Sequence, residues 1–193
     1  MADINRIKKE LRDCTKDSEA SGLQVELVDE SNLLHWKGAI KGPVGTPYEG
    51  GLFHIDIVLP SDYPFVPPKM KYDTKIWHPN ISSESGAICL DILKNEWSPA
   101  LTVRTALISL QALMSAPEPD DPQDAVVAKM YKERNKEFVE TAKFWTETYA
   151  APGAMPGLDM LLNMGFDSAK AKAALTKCQM NVDAAMELLL SEA

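Results

Sequence analysis

Apolar residues recur at spacings of three and four where the chain begins: Ile4, Ile7, Leu11 and Cys14. This is the stripe of an amphipathic helix, and Asp3 stands where its N-cap is needed. From about Leu23 the period changes to two. Leu23, Val25 and Leu27 alternate with polar residues, and Leu34, Trp36 and the run Leu52–Leu59 follow in the same style. The pattern predicts three or four antiparallel strands separated by turn signals, GPVGTPYEGG being the clearest. Pro64, Pro67 and Pro68 then mark an extended stretch unsuited to a central strand, because proline lacks the ladder N–H.

From Lys75 to Pro99 no period persists, and so long an irregular stretch in a compact domain is usually functional. Thr102 next caps a helix whose face includes Val103, Leu107, Leu110 and Met114. PEPDDPQ breaks the pattern. Two more helices are expected near 124–133 and 135–149, with Val127, Tyr131, Phe138, Phe144 and Trp145 available for packing. APGAMPG at 151–157 reads as a linker. The expected division is therefore a domain over 1–150, a linker over 151–157 and a small domain over 158–193. The small domain has helical patterns at 158–163, 168–177 and 182–191, with Asp167 or Ser168 and Asn181 at cap positions. That is a three-helix bundle near the lower size limit for independent folding.

Composition narrows the function classes. There are 28 acidic and 20 basic residues, a net charge of −8, which disfavours general nucleic-acid binding. One local exception is the first helix, where Arg6, Lys8, Lys9 and Arg12 lie close together. No apolar run approaches the roughly 20 residues of a membrane span. The opening MADINRIKKEL carries no signal-peptide pattern, so the expected location is cytoplasmic, with the nucleus a second compartment. Three cysteines at wide spacing, Cys14, Cys89 and Cys178, argue against a disulfide framework or a zinc site. His35, His54 and His78 are scattered and do not strengthen a metal reading.

Candidate chemistry concentrates in the irregular stretch. It holds His78-Pro79-Asn80, then Cys89 within GAICLD, then Trp97-Ser98-Pro99. A cysteine there is either an exposed nucleophile or a buried small hydrophobe. Five segments in order decide between these: YPFVPPK at 63–69, HPN at 78–80, ICLD at 88–91, EWSPALTV at 96–103 and PDDP at 119–122. Together they resemble the ubiquitin-conjugating enzyme family across about residues 3–150. The tail, with Met164-Gly165-Phe166 and the leucine run 188–190, resembles a ubiquitin-associated (UBA) domain. The pair looks like the 25-kilodalton conjugating enzymes that end in such a domain.

The resemblance implies an α+β fold: an N-terminal helix, a four-stranded antiparallel sheet and C-terminal helices, followed by the UBA bundle. It implies that Cys89 accepts ubiquitin from the activating enzyme as a thioester and passes it to lysine amines, building polyubiquitin of the kind read by the proteasome. No cofactor is bound directly, since ATP is used by the activating enzyme. A thioester is already activated, so the site needs no Cys–His dyad; it needs an oxyanion donor and help in deprotonating the lysine. The family's counterparts are Asn80, open here between oxyanion donor and scaffold, and Asp121, whose neighbour Asp120 spacing alone cannot exclude. The loop between Asn80 and Cys89 is one residue longer than in many members, which leaves Ser82 and Ser83 unassigned.

For partners, the resemblance implies a surface shared by activating enzyme and RING-type ligases: Arg6, Lys9, Phe65, Ser98, Pro99 and Ala100. It implies a donor-ubiquitin contact at Ile108 and Ala112, and ubiquitin binding by Met164, Gly165, Phe166, Leu188 and Leu189, some of which must also form the bundle's core. Protein substrates complete the set, with neither nucleic acid nor membrane among the partners. Two other readings stand beside this one: a non-catalytic member of the same fold, which would lack Cys89, and a cysteine hydrolase, which would need His78 as its base.

Overall fold

The computed structural model describes residues 3–16, 21–155, 157–178 and 181–191. The chain divides into two compact units, the first ending at Pro152 and the second starting at Gly153.

In the first unit, helix α1 (Ile4–Lys16) starts where Asp3 Oδ1 accepts the Arg6 N–H at 3.1 Å. Ile7 and Cys14 of its stripe are buried, whereas Ile4, in the first turn, is exposed. Burial also pushes the Cys14 thiol up to about 11, as expected for a cysteine that serves as core. Four strands follow, β1 (Leu23–Leu27), β2 (His35–Lys41), β3 (Leu52–Val58) and β4 (Lys69–Tyr72), in an antiparallel meander ordered β1-β2-β3-β4. In β3 alternate residues Phe53, Ile55 and Ile57 are fully buried, as a sheet with one covered face requires. Trp36 pairs with Ile57, and Ile40 with Phe53, so one face carries the aromatic and branched side chains. The prolines lie ahead of β4, at the sheet's edge, where their missing N–H costs nothing.

Helix α2 (Val103–Ser115) covers that face. Thr102 and Thr105 form a reciprocal capping box, and Val103, Ala106, Leu107, Leu110, Leu113 and Met114 are buried. Close approach depends on Gly38 in β2: a Cβ there would lie 2.9 Å from Ile57 Cδ1 and 3.4 Å from Leu107 Cδ2. Helices α3 (Ala125–Glu133) and α4 (Asn135–Trp145) come next, and α4 widens into a π-turn over Thr146–Ala150 in place of the single helix expected to 149. Trp145 packs against Trp77 with ring centroids 5.0 Å apart, while Phe144, expected in the packing, is exposed.

The second unit contains α5 (Leu158–Asn163), α6 (Ser168–Lys177) and α7 (Val182–Ser191). Asp167 and Asn181 side chains accept backbone N–H groups at the starts of α6 and α7. The core is thin: Leu161, Ala171, Ala174, Leu175, Ala185 and Leu189, with Phe166 packed against it.

Candidate active site

The irregular stretch is ordered by hydrogen bonds rather than by periodicity. Its floor is His78-Pro79-Asn80. Asn80 N–H donates to His78 Nδ1 at 3.0 Å, so that nitrogen must be the acceptor and the ring proton sits on Nε2. Nε2 in turn donates to the Leu113 carbonyl of α2 at 3.0 Å. The ring is buried, and burial pulls its pKa down to about 4, so it is neutral at physiological pH. A neutral imidazole with both nitrogens occupied cannot serve Cys89 as a base, which removes the hydrolase reading.

Asn80 is also buried, and its amide is committed. Nδ2 donates to the carbonyls of Glu118 and Asp121 at 2.8 and 3.0 Å, and Oδ1 accepts the Glu118 N–H at 2.9 Å. In this geometry the donors and acceptor of the Asn80 amide all serve the Glu118–Asp121 loop. Its own carbonyl accepts the Cys89 N–H at 2.8 Å. One residue therefore fixes the segment bearing Cys89 and the loop bearing Asp121.

The rest of the loop is held similarly. Tyr72 N–H donates to the Gly86 carbonyl, and Gly86 N–H to that of Ser82, both at 2.9 Å. Gly86 has a positive φ of 73°, and a Cβ there would lie 1.9 Å from the Tyr72 carbonyl oxygen, so the position accepts only glycine. Ser83 Oγ donates to Asp124 Oδ2 at 2.6 Å, while Asp124 Oδ1 caps α3. Burial alone would raise the Asp124 carboxyl, but these hydrogen bonds outweigh it and hold the pKa low. Ser82 Oγ accepts the Ser85 N–H. Both serines brace the longer loop.

Cys89 is half-buried at the rim. Its Sγ lies 3.6 Å from Asp121 Oδ2 and 3.2 Å from Lys94 Nζ. Asp120 instead pairs with Lys132 at 2.5 Å, so of the two aspartates it is Asp121 that lies beside the sulfur. Lys94 was not anticipated. It reaches the sulfur through a 3-10 turn at Asp91–Leu93, which has no periodic signature.

The expected partner surface is an assembly of three segments. Phe65 is 78% exposed, so it is not core packing beneath its loop. Ser98, Pro99 and Ala100 are exposed, and Trp97 Nε1 donates to the Pro64 carbonyl at 2.8 Å, joining the two loops. Lys9 is exposed, but the Arg6 guanidinium is tied inward to Glu10 at 2.7 Å and the Leu101 carbonyl at 2.6 Å. Buried Glu10, another residue the pattern did not flag, also accepts Tyr63 OH at 2.7 Å and the Val103 N–H at 2.9 Å. On α2, Ile108 and Ala112 are exposed opposite the buried stripe. In the second unit Met164 and Gly165 are exposed, and Phe166 and Leu188 are partly buried. Leu189 is a correction: at 4% exposure it belongs to the core, and Leu190 is the exposed leucine of the run.

The chain that folds in this way matches the Ubiquitin-conjugating enzyme family over residues 6–146. The tail matches the UBA/TS-N domain over residues 158–189. The chain belongs to the ubiquitin-conjugating enzyme family, whose members transfer ubiquitin through a thioester. It is 53% identical to Ubiquitin-conjugating enzyme E2 27 of Arabidopsis thaliana, over 99% of this chain and 100% of that one. It is 50% identical to Ubiquitin-conjugating enzyme E2 K of Homo sapiens, over 97% of each. Among solved structures, the E2 domain of a Toxoplasma gondii ubiquitin conjugating enzyme superposes with a TM-score of 0.72 at 59% identity, covering 77% of this chain and 99% of that one.

Proposed function

We propose that Cys89 is the acyl carrier of this enzyme and that Asp121 prepares the incoming lysine. The observation that carries the reading is the 3.6 Å approach of Asp121 Oδ2 to Cys89 Sγ at an accessible rim. Cys89 Sγ attacks the thioester carbonyl presented by the activating enzyme; its new C–S bond replaces the old one. A substrate amine then attacks the same carbonyl carbon, Asp121 accepts the amine's proton, and Cys89 leaves as thiolate. Asn80 acts as a positioning residue that holds the two reacting segments together.

Charging Cys89→Ser and Cys89→Lys variants with activating enzyme, ATP and ubiquitin tests the assignment. The serine variant should trap a hydroxylamine-labile oxyester; a thioester on either variant would sink it.

The docking surface serves both activating enzyme and RING-type ligases, with Phe65 as a preordered apolar anchor and Lys9 as charge complement. Phe65→Ala should weaken ligase-stimulated discharge about tenfold, the scale of a hot-spot truncation; unchanged stimulation would remove Phe65 from the surface. Ile108 and Ala112 support donor ubiquitin folded back on α2. The tail binds ubiquitin through Met164, Gly165 and its exposed leucine, and the product is polyubiquitin for proteasomal degradation. Linkage mapping by mass spectrometry after conjugation on ubiquitin itself tests that last step.

A further inference from the structure

The chain contains two dipeptides in which a hydroxyl residue precedes proline, Thr46-Pro47 and Ser98-Pro99. The fold treats them differently. Thr46 is partly buried, and its hydroxyl is used twice: it donates to the Pro43 carbonyl at 2.6 Å and accepts the Tyr48 N–H at 3.2 Å. Ser98, Pro99 and Ala100 are exposed in a row. Ser98 Oγ accepts the Ala100 N–H at 3.2 Å, and among the described residues its own O–H has no acceptor. The backbone around it is held. Leu101 N–H donates to the Ser98 carbonyl at 2.9 Å, and the Trp97 indole to the Pro64 carbonyl at 2.8 Å. An available hydroxyl, followed by a residue that supplies no N–H, therefore stands at a fixed and open point on the loop tied to that of Phe65.

We propose that Ser98 is a phosphorylation site for proline-directed protein kinases, and that a phosphate there closes the docking surface. The inference rests on the reading that activating enzyme and ligases share that surface. Ser98 Oγ attacks the γ-phosphorus of ATP held by the kinase. An O–P bond forms, the bond to the bridging oxygen breaks, ADP leaves, and the hydroxyl proton passes to the kinase's base. The product carries a charge of about −1.5 to −2 and three strong acceptor oxygens. The Ala100 N–H, which already donates to Oγ, is in place to donate to a phosphate oxygen. Exposed Lys9 is the charge complement of an acidic partner patch, and a dianion on the same surface opposes that patch. Cys89 and Asp121 belong to other segments, so the chemistry of enzyme already loaded is spared. The modification blocks loading and ligase stimulation, which both need the surface.

The test treats the full chain with a recombinant proline-directed serine/threonine kinase and ATP, followed by phosphopeptide mapping. Phosphate is expected on Ser98 and not on Thr46, and a Ser98→Ala chain should take none at the mapped peptide. The purified phosphorylated chain is then compared with untreated chain. Its rate of charging by activating enzyme and its ligase-stimulated discharge should both fall about tenfold. Discharge of loaded enzyme to free lysine, without ligase, should match the untreated chain, a readout that general damage to the fold would move. A phosphatase should restore charging. No phosphate on Ser98, an unchanged charging rate, or an equal loss of ligase-free discharge overturns the proposal. The docking reading still stands in those cases if Phe65→Ala lowers ligase stimulation. If Phe65→Ala and the phosphorylated chain both respond normally, the two fall together.

Discussion

The floor and the rim of the loop between residues 75 and 100 lie a few ångströms apart and follow opposite rules. On the floor, His78 and Asn80 are buried, and every polar atom of their side chains has a partner. At the rim, the sulfur of Cys89 has an amine on one side and a carboxylate on the other, both on exposed residues. Buried groups must be satisfied or they destabilise the fold; exposed groups may stay available because water satisfies them in the interim. The loop thus separates shape from chemistry. Its motif residues HPN are held by internal hydrogen bonds, and the groups proposed to react are held where they can still exchange partners.

Perturbing each layer should separate the two. Asn80→Ala strips three hydrogen bonds from the Glu118–Asp121 loop, and we expect a loss of about 3–4 kcal/mol in denaturant unfolding together with slower lysine discharge. A variant equally stable but slow would return Asn80 to the chemistry. Acid should reach the floor next. His78 is neutral in the fold, with its pKa lowered to about 4 from 6.5. Its contribution is full above about pH 6.5 and is lost as pH falls toward 4, amounting to about 3 kcal/mol. His78→Gln should flatten that slope between pH 6.5 and 4, and an unchanged slope would locate it elsewhere. Asp121→Asn should slow single-turnover discharge to free lysine about a hundredfold, or about 2.7 kcal/mol. The melting temperature should hold, and a parallel drop would mean that Asp121 is structural. Smallest of all, Asp120→Asn removes only an exposed pair with Lys132, and discharge and stability should change by less than about 0.5 kcal/mol.

What the sequence showed in advance followed periodicity and motif. The stripe of α2 and its Thr102 cap were legible because a 3.6-residue period and a capping hydroxyl are local signals. That HPN, Cys89 and Asp121 belong to one cluster was legible through the family's order of segments. Three features were not. Lys94 reaches Cys89 only because a short 3-10 turn reverses the chain, and such turns leave no period. Leu188, Leu189 and Leu190 are consecutive on a helix, so they point in three directions, and only packing shows that Leu189 is inside. Arg6 read as one charge among four on an exposed face, yet its guanidinium bonds Glu10 and the Leu101 carbonyl, 95 residues away. That partner is set by tertiary packing alone.

Glu10 carries a consequence for recognition. Its carboxylate joins α1, the Tyr63 loop and the first N–H of α2, and the Trp97 indole joins the Phe65 and Ser98 loops. The three segments of the proposed docking surface are thereby bolted to one interior anchor. A ligase docking on that proposed surface would meet segments already tied together, and would lose little ordering entropy. The same ties limit adaptability: a partner on the proposed surface would have to conform to it, because the surface has few ways to conform in return.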